Sequence, residues 1–88
     1  MNAVVGRQVW YYPGGYPVPS ITVFRDQPGK PVQACTARIC YVHSPSMVNL
    51  DVVDHAGQRH ARSSVHLVPP GEQPPDGAEF CIWPSDRP

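Results

Sequence analysis

VNLDVVDHAGQRHARSSVHLV, residues 48–68, is an apolar alternation that halts at Asp54-His55-Ala56-Gly57 and then resumes with the same period. Side chains of an extended chain point alternately to opposite faces. Val48, Leu50 and Val52 therefore share the inward face, and Asn49, Asp51 and Val53 the outward one. Asp54 suits the first position of a turn, and Gly57 can take the positive φ that closes it. On the return, residues 58–67, Ala61, Ser63, Val65 and Leu67 share one face, while Gln58, His60, Arg62, Ser64 and His66 share the other. The stretch predicts a β-hairpin, because the pattern stops only where the chain must reverse.

Outward from this hairpin the same punctuation recurs. VGRQVWYY, residues 5–12, predicts a first strand with Val5, Arg7, Val9 and Tyr11 on one face and Gly6, Gln8, Trp10 and Tyr12 on the other. Residues 13–31 are rich in proline and glycine around one β-prone run, SITVFR. They predict a long excursion forming a loose hairpin of its own, with Pro28-Gly29 suited to a type II turn. VQACTARICYVH, residues 32–43, predicts a strand with Cys35, Ala37, Ile39 and Tyr41 on the core side, broken by Ser44-Pro45-Ser46. PPGEQPPDGAE, residues 69–79, is a turn-rich connector, and FCIW, residues 80–83, a short closing strand. No window shows a 3.6-residue apolar period. The expected fold is all-β: a small five-stranded antiparallel barrel of the Src-homology-3-like type with a long Pro/Gly-rich first loop. A minimal two-sheet sandwich is the alternative.

The totals bound the rest. Eighty-eight residues form a single domain, 1–88, with a thin core that oligomerisation would reinforce. Twelve prolines and seven glycines mark turns rather than disorder, because 41% of the chain is hydrophobic and the net charge is zero. A neutral chain offers no broad basic face for duplex nucleic acid. No apolar run approaches the roughly 20 residues of a membrane span, and MNAVVGRQVW lacks the layout of a signal peptide. A cytoplasmic location is expected, in keeping with the odd count of three cysteines. Cys35 and Cys40 point to opposite faces of one strand and cannot bridge, whereas a bridge from Cys81 stays open.

Few residues carry chemistry in a recognisable arrangement. His43, His55, His60 and His66 lack metal-ligand spacing, so no metal or cofactor is expected, although neighbouring strands could still bring Cys40 or Cys81 to a histidine. Ser63-Ser64 beside His60 or His66, with Asp51 across the hairpin, has the residue types of a hydrolase but no nucleophile elbow. The aromatics are more informative. Trp10, Tyr12, Tyr16 and Trp83 would cluster if the first and last strands pair. Trp10 and Trp83 could simply close the core; facing outward beside Arg59 and Arg62, the same residues would make a ligand-binding platform.

Taken together, VGRQVWYY, ACTARICYV, VNLDVVDHAGQ, SSVHLVP and the closing IWP resemble a family of small, uncharacterised bacteriophage β-proteins. Its members run from VGR and an aromatic strand through an alanine-rich strand, a V-N-L hairpin and an S-V element to Trp-Pro. Residues 13–31 and the acidic PPGEQPPDGAE depart from that pattern. The resemblance implies a viral origin and a small β fold, and brings no catalytic residues with it. The function expected on these grounds is that of a phage-encoded, non-enzymatic accessory protein in the host cytoplasm, acting by binding. It would sequester a nucleotide signal, with Trp or Tyr on the base and Arg59 or Arg62 on the phosphate across a homo-oligomer interface. Or it would block a host defence protein, docking it through apolar residues of 13–24. A virion component decorating capsid or tail is the structural alternative.

Overall fold

The computed structural model describes residues 3–14, 21–24, 32–75 and 77–84. The chain forms five strands, β1 (Gln8–Tyr12), β2 (Cys35–Ser44), β3 (Met47–Val53), β4 (Arg59–Leu67) and β5 (Phe80–Ile82). They close into a barrel in the order β1-β2-β3-β4-β5. The fold is the small five-stranded barrel that the alternation predicts, and its order is compatible with the Src-homology-3 type. β1 to β4 pair antiparallel in succession, and β5 lies between β4 and β1, antiparallel to β1 and parallel to β4. One parallel seam is unavoidable, because strand directions cannot alternate all the way around a ring of five. Among the described residues no helix is long and apolar enough to cross a membrane.

The 48–68 hairpin forms as read, with Asp51 opposite Ala61 and Val53 opposite Arg59. Gly57 takes a φ of 86° and donates its N–H to the Asp54 carbonyl at 3.0 Å. Val9 and Tyr11, then Cys35, Ala37 and Ile39, then Val48, Leu50 and Val52 fill the interior with Val65, Leu67, Cys81 and Trp83. A β-branched and aromatic set of this kind packs well on pleated surfaces.

Two expectations of facing are corrected, and both for one reason. Cys40 is an extra residue in β2, since Ile39 pairs with Leu50 but Tyr41 pairs with the next β3 residue, Asn49. The bulge reverses parity, so Tyr41 turns outward at 56% exposure and Val42 packs against the core instead. On the other flank of β3, Leu50 pairs with Arg62 and Val48 with Val65, leaving Ser63 and Ser64 opposite Asn49 alone. Ala61 and Ser63 are therefore exposed, while His60 and Arg62 take the partly buried positions. Ser64 adopts a φ of 56°, and its N–H donates to Asn49 Oδ1 at 2.8 Å. The same oxygen lies 2.8 Å from His43 Nε2, so one β3 side chain ties both bulges. Matched bulges at one level bend β2 and β4 around β3, which is what a barrel this small requires.

The three cysteines are free thiols. Cys35 and Cys81 pair in register with Tyr11 from opposite sides. Two strand spacings, about 10 Å, separate them, beyond the reach of a disulfide. Burial pushes both thiols up, Cys81 to about 12, so each packs as a small protonated hydrophobe.

Asp54 is the buried charged residue of the interior. Its Oδ1 accepts from the N–H of Ala56 and of Gln58, both at 2.9 Å, and its Oδ2 accepts from Thr22 N–H at 3.1 Å and lies 2.7 Å from His60 Nε2. The turn also holds residues 21–24: His55 N–H donates to the Thr22 carbonyl, and Phe24 N–H donates to His55 Nδ1 at 2.9 Å. Residues 21–24 of the 13–31 excursion thus lie against the 54–57 turn, with Ile21 and Val23 packed on the core. The rest of the hairpin expected there lies outside the described residues.

Burial drives the Asp54 carboxyl upward, but the hydrogen bonds from Thr22, His60, Gln58 and Ala56 outweigh it and hold the group well below the usual carboxylate range. A carboxyl depressed in the folded state stabilises above its unfolded pKa of about 4, and that stabilisation fades as pH falls through the folded value. Asp54→Asn is expected to lower the melting temperature at neutral pH, with the gap to wild type closing in acid. Thermal melts from about pH 7 to about pH 2 read both effects, and a gap that stays constant would exclude the charge as the cause.

Candidate binding surface

Carried around the barrel, the register places Arg59, Val53, Thr36, Trp10 and Ile82 in one outward row. A second row on one side holds Ala61, Asp51, Arg38 and Gln8, and a shorter one on the other side holds Tyr12, Phe80 and His66. The outer surface along these rows is therefore a band, apolar and aromatic at the β5 end and charged at the β3–β4 end. Trp10 stands between the two.

At the apolar end, Tyr12 and Phe80 stack with centroids 5.1 Å apart and planes 18° apart. With Ile82 they floor a groove of about 310 Å³ whose walls are Pro69, Pro70 and Pro74 of the connector. Exposed Glu72 stands at its rim. The connector is held in place at three points. Val68 N–H donates to the Cys81 carbonyl at 2.9 Å. Tyr11 Oη donates to Glu79 Oε1 at 2.8 Å, and Arg62 grips the same carboxylate through Nε at 2.9 Å and Nη2 at 2.8 Å. Gly14 meets the backbone of residues 77–79 so closely that a Cβ there would stand 2.7 Å from the Gly77 carbonyl oxygen.

At the charged end, Arg59 pairs with Asp51, Nη2 to Oδ2 at 2.6 Å and Nε to Oδ1 at 3.2 Å. That hydrogen bond lowers the Asp51 carboxyl. Arg38 lies across from Asp51 on β2, and its guanidinium makes no hydrogen bond or ion pair among the described residues.

The six residues singled out in the sequence do not gather at one point. Trp10, Tyr12 and Arg59 lie along the outer band. Trp83 is buried at 4% exposure and closes the core. Arg62 turns inward to Glu79, where burial raises that carboxyl but the bonds from Arg62 and Tyr11 lower it more. Tyr16 lies outside the described residues. Phe80, Ile82, Arg38 and the groove prolines are functional candidates that the sequence alone does not single out. Phe80 and Ile82 are legible in principle, because they alternate with buried Cys81 and Trp83. The hydrolase grouping is not assembled: Asp51 is engaged by Arg59 on the outer face, while His60 bonds Asp54. Among the described residues no three of His, Cys, Asp and Glu converge as a metal site would require. Comparison with protein-family models, with curated proteins and with solved structures gives no match.

Because the Gly14 contact is backbone against backbone, an added methyl can be relieved only by moving the connector. Gly14→Ala is expected to destabilise by about 1–3 kcal/mol, a drop of several degrees in melting temperature. Calorimetry checks it; an unchanged midpoint would mean that the connector can move off Gly14 freely.

Proposed function

We propose that the chain is a phage-encoded accessory protein that acts by binding, and that it blocks a protein partner by seating an extended, proline-containing segment of that partner in the Tyr12–Phe80 groove. The observation that carries this reading is the groove's composition. Stacked aromatic rings and proline walls present flat, rigid apolar surfaces, which match the preformed extended helix of proline-rich segments at low entropic cost. Glu72 at the rim gives a basic residue of the partner a place to pair. The nucleotide version with Arg62 draws no support from the geometry, since that side chain is 30% exposed and its fork is filled by Glu79. The viral origin rests on the family resemblance in the sequence.

An array of proline-rich peptides, with and without flanking lysine or arginine, tests the reading against the intact chain. Saturable binding is expected, with amide shifts confined to Tyr12, Gly71, Phe80 and Ile82. Tyr12→Ser should weaken it at least about tenfold, because a few buried aromatic contacts carry most of the affinity at a small interface. Shifts that cluster elsewhere, or a Tyr12→Ser variant binding as wild type, would overturn the assignment.

A further inference from the structure

We propose that the hollow between Arg38 and Arg59, on the outer face of β2, β3 and β4, binds the phosphate group of a small organic ligand. The hollow measures about 380 Å³ and is lined by Thr36, Arg38, Asp51, Val53 and Arg59. It exists because the short side chains of Thr36, Val53 and Ala61 sit in the two outward rows between two long arginines.

Its electrostatics favour an anion. Two guanidinium groups face one carboxylate, and Arg59 engages both oxygens of that carboxylate. Asp51 therefore acts as the brace that fixes Arg59, leaving the outer Nη1 edge of its fork available. Arg38 is exposed, and its guanidinium makes no hydrogen bond or ion pair among the described residues, acting on Asp51 by its charge alone. One open arginine fork, with the outer edge of a second guanidinium lining the same hollow, matches tetrahedral or planar oxyanions better than point charges do. Thr36 adds a hydroxyl, whose oxygen already accepts from Gln8 Nε2 at 3.1 Å and so keeps its own proton to donate. Trp10 is the next residue along the Thr36 row. The site is independent of the peptide groove, which lies beyond Trp10 on β5, so either can fail without the other.

Titration of the full ¹⁵N-labelled chain with inorganic phosphate, AMP and adenosine tests the assignment, with sodium chloride at matched ionic strength as the control. Phosphate should shift the Arg38 Nε–H and Thr36 amide resonances saturably. AMP should shift the same two resonances saturably, while adenosine, which lacks the phosphate, should leave them unmoved. Arg38→Ala should weaken AMP at least about tenfold without changing the melting temperature, and Arg38→Lys should retain part of the affinity. The assignment falls if chloride reproduces the shifts, if Arg38→Ala binds as wild type, or if nothing saturates. It falls equally if adenosine produces the same shifts, because the phosphate is then not what is bound.

Discussion

An odd number of strands closed into a ring must contain one parallel seam, and most of what is distinctive in this barrel follows from where that seam falls. It lies between β4 and β5, with His66 beside Phe80 and Leu67 beside Cys81. Parallel neighbours cannot be joined by a tight turn, because the chain has to leave the end of one strand and return to the start of its pair. The chain between Leu67 and Phe80 makes that return, and its described stretch 70–74 is exposed on the outside of the barrel, whose interior is already filled. Prolines suit a return path that donates few backbone hydrogen bonds. The same prolines then become the walls of the groove. The candidate peptide site is thus a consequence of closing the barrel.

The second organising feature is Asn49. β3 runs without a break while both neighbours carry an extra residue opposite its middle, and the Asn49 amide bonds across to each. An apolar residue there would leave the Ser64 N–H without this acceptor in a conformation that L-residues adopt reluctantly. The bend also explains why β2 can serve two parts of the surface. Before Cys40 its outer residues, Thr36 and Arg38, line the hollow; after it, Tyr41 turns out and rests edge-on against His43.

The sequence carries the number of strands, their approximate limits, which residues of β1 share a face and every inward position of β3, because simple alternation determines those. It does not carry the phase of the second half of β2 or the first half of β4. A bulge adds a residue without changing composition, so CTARICYV and RHARSSV read as unbroken alternations when each contains a step. That single effect makes alternation put Tyr41 inside and Ala61 with Val65, when the chain does the reverse. Arg62 departs from its pattern for a related reason. Alternation gives it a solvent face, and the Ser63–Ser64 bulge turns it to Glu79. Its partner is 17 residues away and lies in a connector with no periodic pattern to place it.

Arg38 shows the opposite case. Its facing is legible on β2, but its significance depends on which strand lies alongside. Only the β2–β3 register sets it across from Asp51, and only the β3–β4 hairpin brings Arg59 to take that carboxylate first. Had Asp51 paired with Arg38 instead, Arg59 would be the arginine left over in the hollow. An exposed, solvent-screened pair of this kind contributes little to folding, so stability alone hardly decides between the two arrangements. In the structure Arg59 reaches Asp51 through both Nε and Nη2, while Arg38, directly opposite on β2, acts on that carboxylate by its charge alone and keeps its hydrogen-bond donors open. The hairpin in residues 48–68 therefore fixes the fold and also selects which arginine on this face is free to meet a ligand.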